Sequence, residues 1–159
     1  MNKKITLSLA LLSFIFSANA QDSVNDEIDN AIKYGRYDVA KKELYKLVRS
    51  QPTQGKHFYR LGLIHLNENN QDSASYYFKQ GLRGVKNVDI NNLGLGKIGL
   101  LTQKDKEAKS KFNAATLNIG PKDYQTYLDI AHAYTYAPKP DFDLALEFVN
   151  KALFLELEA

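Results

Sequence analysis

Apolar positions from residue 23 onward recur three and four apart in short blocks, separated by polar or Gly/Pro-containing breaks. That spacing predicts amphipathic helices rather than strands. The clearest block is Phe58 to Leu82, FYRLGLIHLNENNQDSASYYFKQGL. Phe58, Leu61, Gly62 and His65 mark one helical stripe, and Ala74, Phe78, Gly81 and Leu82 mark a second. The polar run Asn67 to Asp72 lies between them, so the block predicts a helix over Phe58 to Leu66, a turn, and a second helix opening at Ala74. Two helices this short cannot bury their stripes alone and need neighbours.

The remaining pattern predicts those neighbours. Helices are expected over Ser23 to Tyr34, Val39 to Ser50, Asp89 to Leu101, Ala108 to Leu117, Tyr124 to Tyr136 and Asp143 to Glu158. The breaks are Gly35, Pro52, the turn Lys104 to Glu107, Gly120-Pro121 and the stiff Ala137 to Pro140 turn. Proline cannot continue a helix and pushes the residue before it out of helical geometry, and Asp141 stands where an N-cap belongs. Subtraction exposes a repeat: Ala40, Ala74 and Ala108 are 34 apart, as are Leu44, Phe78 and Phe112, and Leu47, Gly81 and Ala115. Leu61/Leu95 and Gly62/Gly96 share the interval. In a fourth unit Ile130 and Ala131 follow at 35, while Ala145, Val149 and Ala152 follow at 37. The extra residues fall near Pro121 and in the Pro138–Pro140 turn, as stacked helix pairs require. The predicted fold is all-α: a right-handed solenoid of stacked antiparallel helix pairs, in about four units over 21–54, 55–88, 89–122 and 123–159.

Residues 1–20 follow a different rule. Lys3 and Lys4 precede an apolar run, Ile5 to Phe16, and Ala18-Asn19-Ala20 forms a small-x-small site. This predicts a secretory signal peptide cleaved after Ala20 and a periplasmic or secreted product, too short a segment for a spanning helix with its stop-transfer flank. A buried amphipathic N-terminal helix would need a charged face, which Ile5 to Phe16 lacks. Gln21 in place of cysteine at the new terminus rules out a lipoprotein anchor, and no second apolar run of spanning length follows.

Composition narrows the chemistry. The absence of cysteine closes disulfide, zinc-thiolate and thiol-nucleophile routes. Loss of Lys3 and Lys4 takes the net charge from +3 to +1, which gives no electrostatic case for nucleic acid. Hydrophobic residues at 44% and charged ones at 25% are those of an ordinary globular chain.

The period and residue pattern resemble the tetratricopeptide repeat family. Tyr34 to Pro52, YGRYDVAKKELYKLVRSQP, and Phe58 to Leu82 match in part its aromatic-x2-Leu-Gly, Gly-x-Tyr, Ala-x3-aromatic/Leu and terminal Pro elements. The resemblance covers about Asp22 to Ala159. Glu27-Ile28 replaces the Leu-Gly pair in the first unit, consistent with an N-terminal cap, and Lys86 stands where the second unit would end in Pro. The resemblance implies peptide or helix binding along a concave face made by the first helix of each pair. The matching positions are Asn25, Asp29, Ile32 and Lys33; then Lys56, Tyr59, Leu63, Leu66 and Asn67; then Ile90, Leu93, Lys97, Leu100 and Leu101; and finally Gln125, Leu128, His132, Thr135 and Tyr136. The predicted groove therefore centres on Tyr59, Leu63, Leu66, Asn67, Leu93, Lys97, Leu100, Leu101, Leu128, His132 and Tyr136, with the five leucines from Leu63 to Leu101 as an exposed apolar middle. A partner, another segment of the chain or a second copy would each satisfy that surface. The family's carboxylate clamp is not reproduced: its positions hold Asn25, Asp29 and Gly94, with Arg60 and Lys56 nearby.

Three other motifs are set aside. Gly94-Leu95-Gly96-Lys97-Ile98-Gly99 has the form of a dinucleotide fingerprint, but it lies inside a repeat helix with no strand before it. His57, His65 and His132 sit in different units and no pair has the i, i+4 spacing of a helical zinc site, so neither metal nor cofactor is predicted. The ten tyrosines, Tyr76-Tyr77 among them, read as packing with hydroxyls at the edge. The expectation is a non-catalytic scaffold or adaptor for a protein or peptide partner. The alternative is the N-terminal or self-associating part of a larger repeat protein or envelope assembly, because Leu153, Phe154, Leu155 and Leu157 crowd the last helix on more than one side.

Overall fold

The computed structural model describes residues 23–120 and 123–158, and all the regular structure there is α-helical. The proposed signal segment and Pro121 lie outside the described residues. The helices are α1 (23–33), α2 (Tyr37–Ser50), α3 (Gly55–Asn67), α4 (Gln71–Gly81), α5 (Ile90–Leu101), α6 (Asp105–Ala115), α7 (Tyr124–Thr135) and α8 (Phe142–Glu158). None of them is long and apolar enough to cross a membrane.

Several helices begin earlier than their apolar stripes, because polar residues form the first turn. The Ser73 amide donates to Asn70 Oδ1 at 3.0 Å, so α4 opens at Gln71 and not at Ala74. Asp105 and Glu107 belong to the first turn of α6, where the helix dipole favours acidic groups, and not to the preceding turn. Asp141 caps α8 as its position predicts: its Oδ1 accepts from the Leu144 amide at 2.9 Å.

The chain divides into two compact units, one ending at Tyr45 and one starting at Lys46. In the first, Ile28 and Ala31 of α1 and Ala40 and Leu44 of α2 are fully buried. In the second, α3 packs chiefly on α4, α5 on α6 and α7 on α8, while α4–α5, α3–α5 and α5–α7 contacts join successive pairs.

Side-chain packing repeats with the sequence. A methyl group added to Gly62 would enter the Phe78 ring, and one added to Gly96 would enter the Phe112 ring, the same lock 34 residues on. Gly94 presses on Phe78 from the next pair, and a methyl at Gly99 would come within 3.0 Å of Ala108. The glycine run of α5 is thereby accounted for by close helix approach. In the last pair the buried aromatic is Phe148, which stacks on Tyr134 at 5.9 Å, while Val149 is half-buried. The 37-residue offset therefore misplaces that slot by one residue.

Backbone form repeats as well. Gly35, Asn69 and Gln103, each 34 apart, are left-handed, with φ of 69°, 58° and 56°. Their amides donate to Ile32, Leu66 and Leu100 carbonyls, and the following amides to those of Ala31, His65 and Gly99. Each is a Schellman closure of a first helix. Between pairs, the Gly55 amide donates to the Lys86 carbonyl at 2.8 Å and the Val85 amide to that of Thr53 at 2.9 Å. The buried Asn91 carboxamide secures the same junction, its Nδ2 donating to the carbonyls of Gly55 and Val88.

Candidate binding cleft

The first helices of three successive pairs, α3, α5 and α7, open a cleft of about 220 Å³. Leu63, Leu66 and Asn67 line it from α3, Lys97, Leu100 and Leu101 from α5, and His132, Ala133, Tyr136 and Ala137 from α7 and its C-terminal turn. The structure thus gathers Leu63, Leu66, Asn67, Lys97, Leu100, Leu101, His132 and Tyr136 of the predicted groove.

Three predicted positions lie elsewhere. Leu93 is 1% exposed and belongs to the core. Tyr59 is buried too, its ring tilted on Phe78 at 5.7 Å, and Leu128 is half-buried outside the cleft lining. Leu100, 5% exposed, forms floor and not rim. The expectation of five exposed leucines is corrected accordingly: Leu93 and Leu100 are buried, Leu63 and Leu66 are half-buried, and Leu101 is 38% exposed. The reason is that α5 contacts both α3 and α7, so a helix apolar nearly all round is covered on two sides.

Lys97 is the only residue of the cleft lining with a permanent charge. Burial lowers its pKa from the usual lysine value, and the Asp129 carboxylate acts in the opposite sense. No acidic oxygen among the described residues lies within ion-pair distance of its amine. His132 is exposed at the mouth, its ring 4.4 Å from that of Tyr136. The cleft therefore offers apolar contact, two aromatic edges and one ammonium group.

The other histidines serve the core. His57 is buried, with Nε2 3.1 Å from Gln51 Oε1, and burial, then Arg60 and Lys56, push its pKa down to about 4. His65 stacks on Tyr77 at 5.1 Å and has Nδ1 3.5 Å from Glu68. Among the described residues no group of three or more His, Asp or Glu is placed to hold a metal ion.

A second apolar surface runs along α8. Its Ala145, Phe148 and Ala152 are buried, whereas Phe142, Leu146, Leu153 and Leu157 are exposed. At the helical pitch these four fall within an arc of about 60°. Leu153, Glu156 and Leu157, spaced i, i+3 and i+4, are neighbours on that side. Glu147 is engaged by Lys151 at 2.6 Å, while Glu156 is exposed with no cation paired to it among the described residues. Crowding around Leu153 to Leu157 is visible in sequence; the contribution of Phe142 and Leu146 appears only once the buried side of α8 is known.

The chain matches no protein-family model and no curated protein.

Proposed function

We propose that this chain is an exported tetratricopeptide-type solenoid, right-handed and built of antiparallel helix pairs, that acts as a non-catalytic scaffold in the cell envelope. It is processed after Ala20 and holds a segment of a protein in the Lys97 cleft. The observation that carries this reading is the convergence of α3, α5 and α7 on one apolar cleft with a single internal cation. Apolar walls suit side chains of a helix or an extended segment, and a contiguous patch of this kind marks an interaction surface. The repeated Gly–Phe locks and Schellman turns support the repeat-array reading.

Photo-crosslinking in cells tests it. A crosslinking residue at Leu101 or Tyr136, both exposed on the cleft, should trap a discrete protein. The same residue at Leu117, more exposed than either but outside the cleft, should not. No adduct from the cleft positions, or the same adducts from Leu117, would remove the cleft from consideration. The second reading, a self-associating part of a larger envelope assembly, draws on the exposed stripe of α8.

A further inference from the structure

We infer that the occupant of the cleft is the last helix of a second copy of this chain, an inference that rests on the cleft being a protein-docking site. The described residues leave two apolar surfaces open, and the two are complementary. Lys97 lines the cleft together with leucines of α3 and α5, Leu66 and Leu101 among them, and has no ion-pair partner among the described residues. The exposed side of α8 sets Glu156, which has no ion-pair partner among the described residues, beside Leu153 and Leu157. A helix that brings two leucines and an adjoining acid into a groove lined by leucines and one cation satisfies both surfaces at once. Leu157, 88% exposed, is the most exposed large apolar side chain of the described residues, and docking removes it from water. Lys97, already stripped of much of its water, gains a counter-charge that none of the described residues brings within ion-pair range. The two surfaces differ, so the contact is either reciprocated in a two-fold pair or heterologous, closing into a ring or extending as a chain.

Sedimentation equilibrium of the processed protein tests this across micromolar to millimolar concentration. The native chain should self-associate. Lys97→Glu alone and Glu156→Lys alone each set like charges against each other across the contact, and each should weaken association by at least about tenfold. An equimolar mixture of the two variants should associate again, because each cleft then meets a helix of opposite charge. Leu157→Ser, at a position whose exposure keeps the fold out of question, should weaken association without any change of charge. A native chain that stays monomeric throughout, single variants that associate normally, or a mixture that fails to recover would each overturn the inference. Should that happen while crosslinks from Leu101 still trap another protein, the cleft remains a docking site and only the second copy is dismissed. If those crosslinks fail as well, the cleft reading falls with it.

Discussion

Individual side chains set how this chain responds to acid. With Nε2 of His57 at Gln51 Oε1, the neutral ring donates through Nε2 and leaves Nδ1 unprotonated in the interior. Charging the ring would place a second proton there, close to Arg60 and Lys56. The folded pKa of about 4 lies below the ordinary value of 6.5, so as pH falls through 6.5 the unfolded chain binds a proton that the folded chain refuses. Stability contributed by the neutral ring is complete above pH 6.5, declines from there to about pH 4, and is lost below. The gap corresponds to about 3 kcal/mol. Urea unfolding at pH 7 and pH 4.5 should show a smaller acid loss for His57→Gln than for the native chain; equal losses would place the ring in contact with water. A residue beside a predicted turn gives no sign of this in sequence, since its burial depends on where α3 begins.

At the scale of elements, helix existence was legible and helix edges were not. The 3.6-residue stripes at Leu61/Gly62/His65 and Ala74/Phe78 locate α3 and α4, but the Asn70 cap recruits Gln71 and Asp72 into a helix that apolar periodicity starts at Ala74. The interval of 34 correctly pairs Gly62 with Gly96 and Phe78 with Phe112, because both pairs meet in the same lock. In α8 the interval lengthens to 37 around two prolines and holds for the buried Ala145 and Ala152, but the buried aromatic is Phe148 and not Val149. The Schellman turn at Gln103 was likewise invisible, since glutamine is not a residue that favours left-handed backbone; its place in the series after Gly35 and Asn69 is what imposes it. The Gly–Phe lock makes a direct prediction. Gly96→Ala should destabilise by about 1–3 kcal/mol through overpacking, although alanine is the better helix former. Trimming the opposing ring with Phe112→Leu in the same chain should recover part of that loss. Additive losses in chemical denaturation would show that the two residues do not share one space.

For the molecule as a whole, the all-helical class was readable, but the depth of each groove position was not. Sequence places Leu63, Leu93 and Leu101 alike on first helices; burial separates them, because α5 has a neighbour on both sides and its start and middle are covered. The proposed solenoid predicts that the chain from Gln21 onward is longer than a sphere of equal mass. Small-angle X-ray scattering at dilutions where it is monomeric should give a radius of gyration above the value of about 14 Å expected for a compact domain of that length. A value at or below that figure would indicate a closed bundle.

Phe78 sits against Gly62 in its own pair and against Gly94 in the next. One ring therefore behaves as a rivet through two plates: neither can loosen without freeing the other. Two neighbouring pairs tied in this way lose the independence that a simple stack would give them, and fluctuations that open the α3–α4 hairpin are felt at once by α5. The floor of the cleft, carried by Leu100 on that same α5, is thus held at a distance by an aromatic ring that never touches whatever the cleft receives.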